Sequence, residues 1–467
     1  MRVQVQLRIV AEDESVISDD TELLLLDKTD DRLEALGLSL AEAKALLAGV
    51  QQRLVTAQAA SYAARHRGCP VCGRRRRSKG PSPIVFRTAF GVVPLSSPRF
   101  HQCGCHPTDS KTVSPLAELF TEHTAPELLY LETRWASLVS YGLTADLLQD
   151  VLPIGRGANV STVRSHLHRV AARHEAELGA ERPSVREDGS AEPRELRVSE
   201  DPILVGLDGG YICNWHDKQK KFEVIVGKAV PAKRDSRYFG LVRNQDQAPR
   251  RRLGAVLHAQ GLPPEPAITV LTDGGDSVRA LAGELLPGAA HHLDWFHVTM
   301  RLTGLDQYAK GLGHHNPGQA AALQGRLARI KWRLWHGDAG EALARAHKLA
   351  ADVAAVDSAC PNLPRFAKAA AGLATYIQNN AGALPNYGER YRHGKAISTG
   401  FVESTVNVVV GKRFAKKQQM QWSKQGAHLL LQTRTRTLDG TLRALFTRWY
   451  PAMTANDTEA MPLPAAA

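Results

Sequence analysis

Two segments of the 467-residue chain, LVGLDGGY and TVLTDGGD, share one design. Each is a short apolar, strand-forming run followed by an Asp and two glycines. The acids are Asp208 and Asp273. A strand covered on both faces reads as an unbroken apolar run. The carboxyl ends of such strands form the mouth of an open α/β sheet, where ligands bind, and glycines there allow backbone and substrate to approach closely. A single Asp-Gly pair more often makes an ordinary turn, but two like instances in one region favour a shared role. The expected strands are 203–207, 222–226, 238–242 and 268–271, the first and last ending at the two aspartates.

A third carboxylate is expected from a helix. In STGFVESTVNVVVGKRFAKK, Val402, Val406, Val409 and Val410 recur at helical spacing, with Glu403 and Asn407 together at the edge of the stripe. A lone helical Glu is usually a solvated residue. Between Asn386 and Arg436, however, only Glu389 and Glu403 accompany ten Lys and Arg. Two strand-end carboxylates and one helical carboxylate form a hard oxygen donor set for two Mg²⁺ or Mn²⁺ ions. Such a pair of ions serves in-line phosphoryl displacement, steadying the attacking and leaving oxygens.

Charge bears on the partner. Lys and Arg number 59 against 47 Asp and Glu, a net charge of +12. The total says little, but a one-signed segment favours phosphate contact over a merely solvated face, which mixes signs. Lys412, Arg413, Lys416 and Lys417, after Glu403, are the expected DNA contacts there. The rival account is a solvated helix end.

Four of the six cysteines cluster as Cys69, Cys72, Cys103 and Cys105. Two tight thiolate pairs read as a structural zinc ribbon. The second pair has one intervening residue rather than two, so His101 or His106 is an alternative ligand. Arg75 and Arg76, within Arg74–Arg77, would set positive charge on this knuckle, suited to phosphates. Cys213 and Cys360 are isolated and read as plain buried thiols.

Around these motifs, residues 1–66 read as a strand, an acidic irregular stretch (12–31) and a helix from about 39 to 66. The cysteine module spans 67–123. Thr124 and Glu127 suggest a capping box with Pro126 in the first turn. Helices at 143–152 and from Ser161 suggest a helix-turn-helix within 124–179, although two packed helices would look alike. Residues 180–200 are charged, with Pro and Gly, and read as a linker. From 298 to 376 the pattern is helical and Ala-rich. Trp332 and Trp335 there are core tryptophans or, less favoured, a base-stacking surface. No export signal or membrane-length apolar run is present, so a cytoplasmic, nucleoid-associated protein is expected. No P-loop motif is present, so no ATP-driven step is expected.

Over nearly its whole length the chain resembles the ISKra-type family of bacterial insertion-sequence DDE transposases. The likeness runs through GLSLAEAKALL, CPVCG, FRTAFGVVPLSSPRFHQCGC, ELLYLETRWASLVSYGLTADLL, VGLDGGY, LTDGGD, LDWFHVTMRL, KWRLWHG, NYGERYRHGKAISTGFVESTVNVVVGKR and KKQQMQWSKQGAH. The resemblance implies a multidomain α/β protein. Its ribonuclease-H-like core (201–299 and 390–440) would be split by an all-helical insertion (300–389) and followed by a tail (441–467). Zinc ribbon and helix-turn-helix would precede the core. It carries the DDE roles onto Asp208, Asp273 and Glu403. Asp294-Trp295-Phe296-His297 looks like the Cys/Asp-x-x-His signature of related insertion-bearing transposases. That implies an accessory role for His297, the alternative being a hydrogen-bonded core histidine. The implied activity is cleavage and strand transfer at terminal inverted repeats and target DNA by a homo-oligomer on DNA. The alternatives are a DNA-binding relative without catalysis, or a ribonuclease-H-like nuclease without strand transfer.

Overall fold

The computed structural model describes the chain except residues 11–15, 30–31, 106–110, 156–157, 180–201, 218, 262–267, 399, 415–421 and 454–467; at 16–20, 401 and 403 it describes the backbone alone. The expected linker therefore lies outside the described residues. The architecture is mixed α/β in two compact units, Met1–Val170 with Gly440–Ala467, and Ala171–Asp439. Among the described residues no helix is long and apolar enough to cross a membrane.

In the first unit, β1 (Arg2–Val10) and β2 (Val16–Asp27) form an antiparallel ribbon. The acidic stretch expected to be irregular is thus strand from Val16 to Asp27, where Leu24–Leu26 pair with Val3–Val5. Ser39 and Glu42 form a reciprocal capping box that starts α1 (Leu40–Arg65). Val55, Ala59 and Ala63, one turn apart, pack on Val93, Leu95 and Leu116. These last belong to β4 (Gly91–His101) of the sheet β3 (Ser78–Thr88), β4, β5 (Thr112–Val113), and to α2 (Pro115–Leu119).

Next come α3 (Pro126–Leu138), α4 (Tyr141–Val151) and α5 (Val160–Leu178). The cap of α3 differs from expectation. Backbone bonds between Arg87 and His123 and Ala125 pin this stretch to β3, and Ala125 becomes the N-cap. The Thr124 hydroxyl instead meets His166 Nε2 at 3.4 Å. The other ring nitrogen of His166 bonds Glu132, a buried polar link between α3 and α5. The segment from 441 begins with a helix, Leu442–Trp449, whose Leu442, Leu445 and Phe446 pack on Leu129, Tyr130 and Val170.

The second unit is built on five strands, β6 (Ile203–Cys213), β7 (Lys221–Pro231), β8 (Arg237–Leu241), β9 (Ile268–Thr272) and β10 (Ala290–Leu293). Their order is β10-β9-β6-β7-β8, with β6, β7 and β8 antiparallel and β9 and β10 parallel to β6. The first strand does not end at Asp208. It continues through both glycines to Cys213, since β7 pairs with it as far as Cys213↔Lys221. On one face Ile203, Val205, Leu207 and Val270 pack on α6 (Pro249–Ala259) and α7 (Asp276–Leu285).

Between β10 and the next sheet-covering helix lie α8 (Trp295–Gly313), α9 (Pro317–Trp335), α10 (Ala339–Ala354), α11 (Leu363–Asn379) and α12 (Tyr387–Arg392). They enclose an apolar core running from Leu293 and Val298 to Tyr387. Trp335 belongs to this helical layer, edge-on to Trp295 at 5.0 Å, whereas Trp332 is exposed beside His336. The chain then returns to the sheet as α13 (Gly400–Thr405), a π-helical turn Val406–Gly411, α14 (Lys412–Phe414) and α15 (Lys424–Leu438).

One buried cation ties α5, α6 and α15 within this unit. Arg252 bonds both oxygens of Asp246 (2.6 and 2.9 Å) and both of Glu175 (2.9 and 2.7 Å), and it also reaches Gln432. His428 Nε2 lies 3.1 Å from Glu175. Glu175, Asp246 and His428 are close enough together to hold a metal, but the guanidinium already supplies their countercharge. Burial pushes the Glu175 carboxyl up, and the bonds from His428 and Arg252 outweigh it, bringing it from 4.5 to about 2. A carboxylate depressed on folding contributes stability that is full above its unfolded value and lost as pH falls through its folded one. The second unit should therefore lose stability between pH 4.5 and 2. Arg252→Met should cost about 3–5 kcal/mol in urea unfolding at neutral pH, because it strands buried carboxylates. The part of that stability lost between pH 4.5 and 2 in the wild type should shrink in the variant when urea unfolding is repeated across this range.

Candidate functional site

The parallel register of β6 and β9 places Val205 beside Val270 and Leu207 beside Thr272. Asp208 is the next residue of β6, and Asp273 is the first residue after β9, so each follows the last pair of that register. Val205, Leu207 and Val270 face the core under α6 and α7, so by the two-residue alternation of strands Asp208, still within β6, belongs to the opposite face. Each is steadied by a local backbone donor: Gly209 N–H to Asp208 Oδ1 at 2.7 Å, and Gly275 N–H to Asp273 Oδ1 at 2.8 Å. Gly274 has φ of 81°, the left-handed turn that carries the chain from β9 towards α7.

The helix bearing Glu403 covers the same face. A Cβ on Gly210, two residues beyond Asp208, would lie 3.3 Å from Val410 Cγ1 and 3.5 Å from Val406 Cγ1. The glycine is thus needed for close approach of helix to strand. Val402, Val409 and Val410 are buried as the stripe required. Glu403 lies in α13 immediately after Val402. The π-helical turn that follows widens the backbone, and Arg434 of α15 meets its carbonyls, Nε to Val409 O at 2.7 Å and Nη2 to Val408 O. Burial and the neighbouring Arg413 lower the Arg434 guanidinium to about 10.

The basic stretch therefore differs from expectation at Arg413. It is buried, 1 % exposed, and its guanidinium lies 5.0 Å from the Trp422 ring centroid, so it is not a surface contact for phosphate. Lys412 is exposed, and Lys416 and Lys417 lie outside the described residues. Arg76 is likewise buried, because the knuckle folds back on itself with Arg76 N–H bonded to Arg67 O. Arg74, Arg75 and Arg77 remain exposed.

The four cysteines converge. Sγ separations are 3.5 Å for Cys69–Cys105, 3.4 Å for Cys72–Cys103 and 3.2 Å for Cys103–Cys105, and all four sulfurs lie within 4.8 Å of one another. The edge of a tetrahedral zinc–sulfur site is roughly 3.8 Å, so the set could hold such an ion without His101; His106 lies outside the described residues. Bonds from the Cys72 and Val71 backbone N–H groups lower the Cys69 thiol to about 6, while bonding to Cys103 raises Cys105 to about 12.

Asp294 is fully buried as the N-cap of α8, accepting from Phe296 N–H at 2.8 Å, and His297 Nε2 stands 3.8 Å from it. Several neighbours of Asp273 carry no local sequence signal. Tyr376 of α11 donates its hydroxyl to Asp273 O at 2.9 Å, and Tyr387 of α12 donates to Leu293 O at 2.9 Å. Burial raises both phenols, keeping them protonated donors. Glu223 on β7 accepts from Ser277 Oγ at 2.8 Å and, with Asp273, raises the Tyr211 hydroxyl.

A Cβ at Gly274 would fall 2.5 Å from Leu293 Cδ1 and 3.0 Å from Asn380 Oδ1, whereas one at Gly283, within α7, meets open space. Gly274→Ala should therefore destabilise the second unit by about 1–3 kcal/mol. Gly283→Ala should instead stabilise it by roughly 0.5–1 kcal/mol. Urea unfolding of the two variants checks the contrast. Neither a protein-family model nor a curated protein matches this sequence.

Proposed function

We propose that this chain is a DDE-type DNA transposase, with a ribonuclease-H-like core split by the helices α8–α12, and with Asp208, Asp273 and Glu403 as ligands for two Mg²⁺ or Mn²⁺ ions. The observation that supports this reading is the parallel β6–β9 register, since Asp208 and Asp273 each follow its last pair, Leu207 and Thr272, and the helical segment of Glu403 packs on Gly210 of β6. The strand order, three antiparallel strands and two parallel to the first, agrees with such a core.

Adjacent carboxylates repel one another unless a cation lies between them, and their hard oxygens suit Mg²⁺ or Mn²⁺. When bound, the ions would supply electrostatic stabilisation to the attacking and leaving oxygens of an in-line phosphoryl displacement. The protein's part is to hold the ligands in place. The Gly209 and Gly275 amides limit rotation of the two carboxylates, and Gly210 admits the helix of Glu403. His297, linked to the α8 cap, has an accessory role in this proposal.

DNA is the partner proposed, as element ends and target, engaged by a homo-oligomer. Arg75 and Lys412, both exposed, are the phosphate contacts that remain from the basic segments. The cysteine knuckle is proposed to hold one structural zinc, and α4 and α5 to form the DNA-reading helix pair.

Two experiments test this. Asp208→Ala, Asp273→Ala and Glu403→Ala should each reduce cleavage and joining of DNA carrying the element's own ends to background while retaining DNA binding; wild-type turnover in any of them removes that residue from the site. Metal analysis of the purified, reduced protein should find one zinc per chain. Cys72→Ser with Cys103→Ser should abolish it and unfold the knuckle, because a structural zinc supplies folding free energy to a small module.

A further inference from the structure

We propose that Tyr376, carried by the helical insertion, is a positioning residue for Asp273, so that the insertion sets the cation affinity of the core; this rests on Asp273 being a cation ligand. Asp273 follows the last residue of β9, where the ladder no longer supplies a donor to its carbonyl. The Tyr376 hydroxyl takes that place at 2.9 Å. With the carbonyl held from one side and the carboxylate held by Gly275 N–H, both the peptide plane and the side chain of Asp273 are fixed.

Tyr376 is itself immobilised. It is 7 % exposed within the insertion core, and the Arg301 guanidinium lies 4.0 Å from its ring centroid. Asn380 Nδ2 bonds the Tyr376 carbonyl at 2.9 Å, and Arg279 of α7 bonds Asn380 Oδ1 at 3.0 Å and Asn379 O at 2.7 Å. These contacts close a loop from α11 through α7 to the Asp273 turn. The missing side chain of Gly274 is part of the fit, since a Cβ there would stand 3.1 Å from Tyr376 Cε2.

Groups that orient a metal ligand without touching the metal typically alter affinity about 10–100-fold when removed. Tyr376→Phe keeps the ring, its packing and the Arg301 contact over the ring, and deletes the hydroxyl with its bonds to Asp273 O and to Arg301. Tyr387→Phe is the matched control. It also deletes a buried insertion hydroxyl from a backbone carbonyl, but that carbonyl belongs to Leu293 rather than to an acid.

The test uses the full chain, with DNA cleavage followed against Mg²⁺ concentration and Mn²⁺ binding followed by electron paramagnetic resonance. Tyr376→Phe should raise the Mg²⁺ concentration for half-maximal cleavage about tenfold or more. Its rate at saturating metal and its DNA affinity should stay near wild type, its melting temperature should fall no further than that of Tyr387→Phe, and Tyr387→Phe should leave the metal dependence unchanged. An unaltered metal dependence in Tyr376→Phe, or a rate loss that saturating metal does not restore, overturns the inference. If the wild type binds Mn²⁺ without cleaving DNA, the transposase proposal falls, and weaker Mn²⁺ binding by Tyr376→Phe still supports the brace. A wild type that binds no Mn²⁺ overturns both.

Discussion

Backbone carbonyls at the carboxyl end of the central sheet need donors that the strands themselves do not supply, and the second unit is organised around meeting that need. A buried carbonyl without a partner costs free energy comparable to a lost hydrogen bond. Here three distant side chains bring the donors: Tyr376 to Asp273 O, Tyr387 to Leu293 O, and Arg434 to the π-helical carbonyls of Val408 and Val409. The turn after β9, the end of β10 and the π turn are each thereby given a donor that no strand ladder supplies. The helical insertion provides two of the three donors, so its placement after β10 has a structural consequence for the core.

The same demand for donors and countercharges takes several arginines out of the surface. Arg252 neutralises Asp246 and Glu175, Arg434 meets the π turn, and Arg413 lies buried over Trp422. A net charge counted from composition overstates the basic surface wherever arginines do such internal work. Arg is the residue suited to it, since its planar fork serves several acceptors at once and it stays charged when buried.

The elements legible in the sequence were those whose determinants are local. The helix expected from about 39 to 66 is α1, the valine stripe marks the helix of Glu403, and the two Asp-Gly-Gly segments mark strands of one sheet. Where a partner from elsewhere decides, local signals misled. Thr124 has the spacing of a cap, yet pairing of its backbone with β3 redirects its hydroxyl to His166. Gly209 and Gly210 look like a turn, yet β7 draws them into a strand. Arg76 sits in a basic run, yet the fold of the knuckle buries it. Tyr376 and Arg434 had no signal at all, since their acceptors are 103 and 25 residues away in the chain.

Arg413 is the instructive case, because its burial was present in the spacing. It follows Val409 by four residues and Val406 by seven, which puts it on the apolar stripe of any helix running through this segment. Its charge argues for solvent and its position argues for the core. Position prevails because Trp422 offers an aromatic face to a guanidinium, a pairing that gains strength when desolvated. Lys412, one residue earlier, is turned about 100° away on the helical wheel and stays exposed. The helical segment that carries Glu403 thus ends by directing one cation inward to the fold and one outward to solvent.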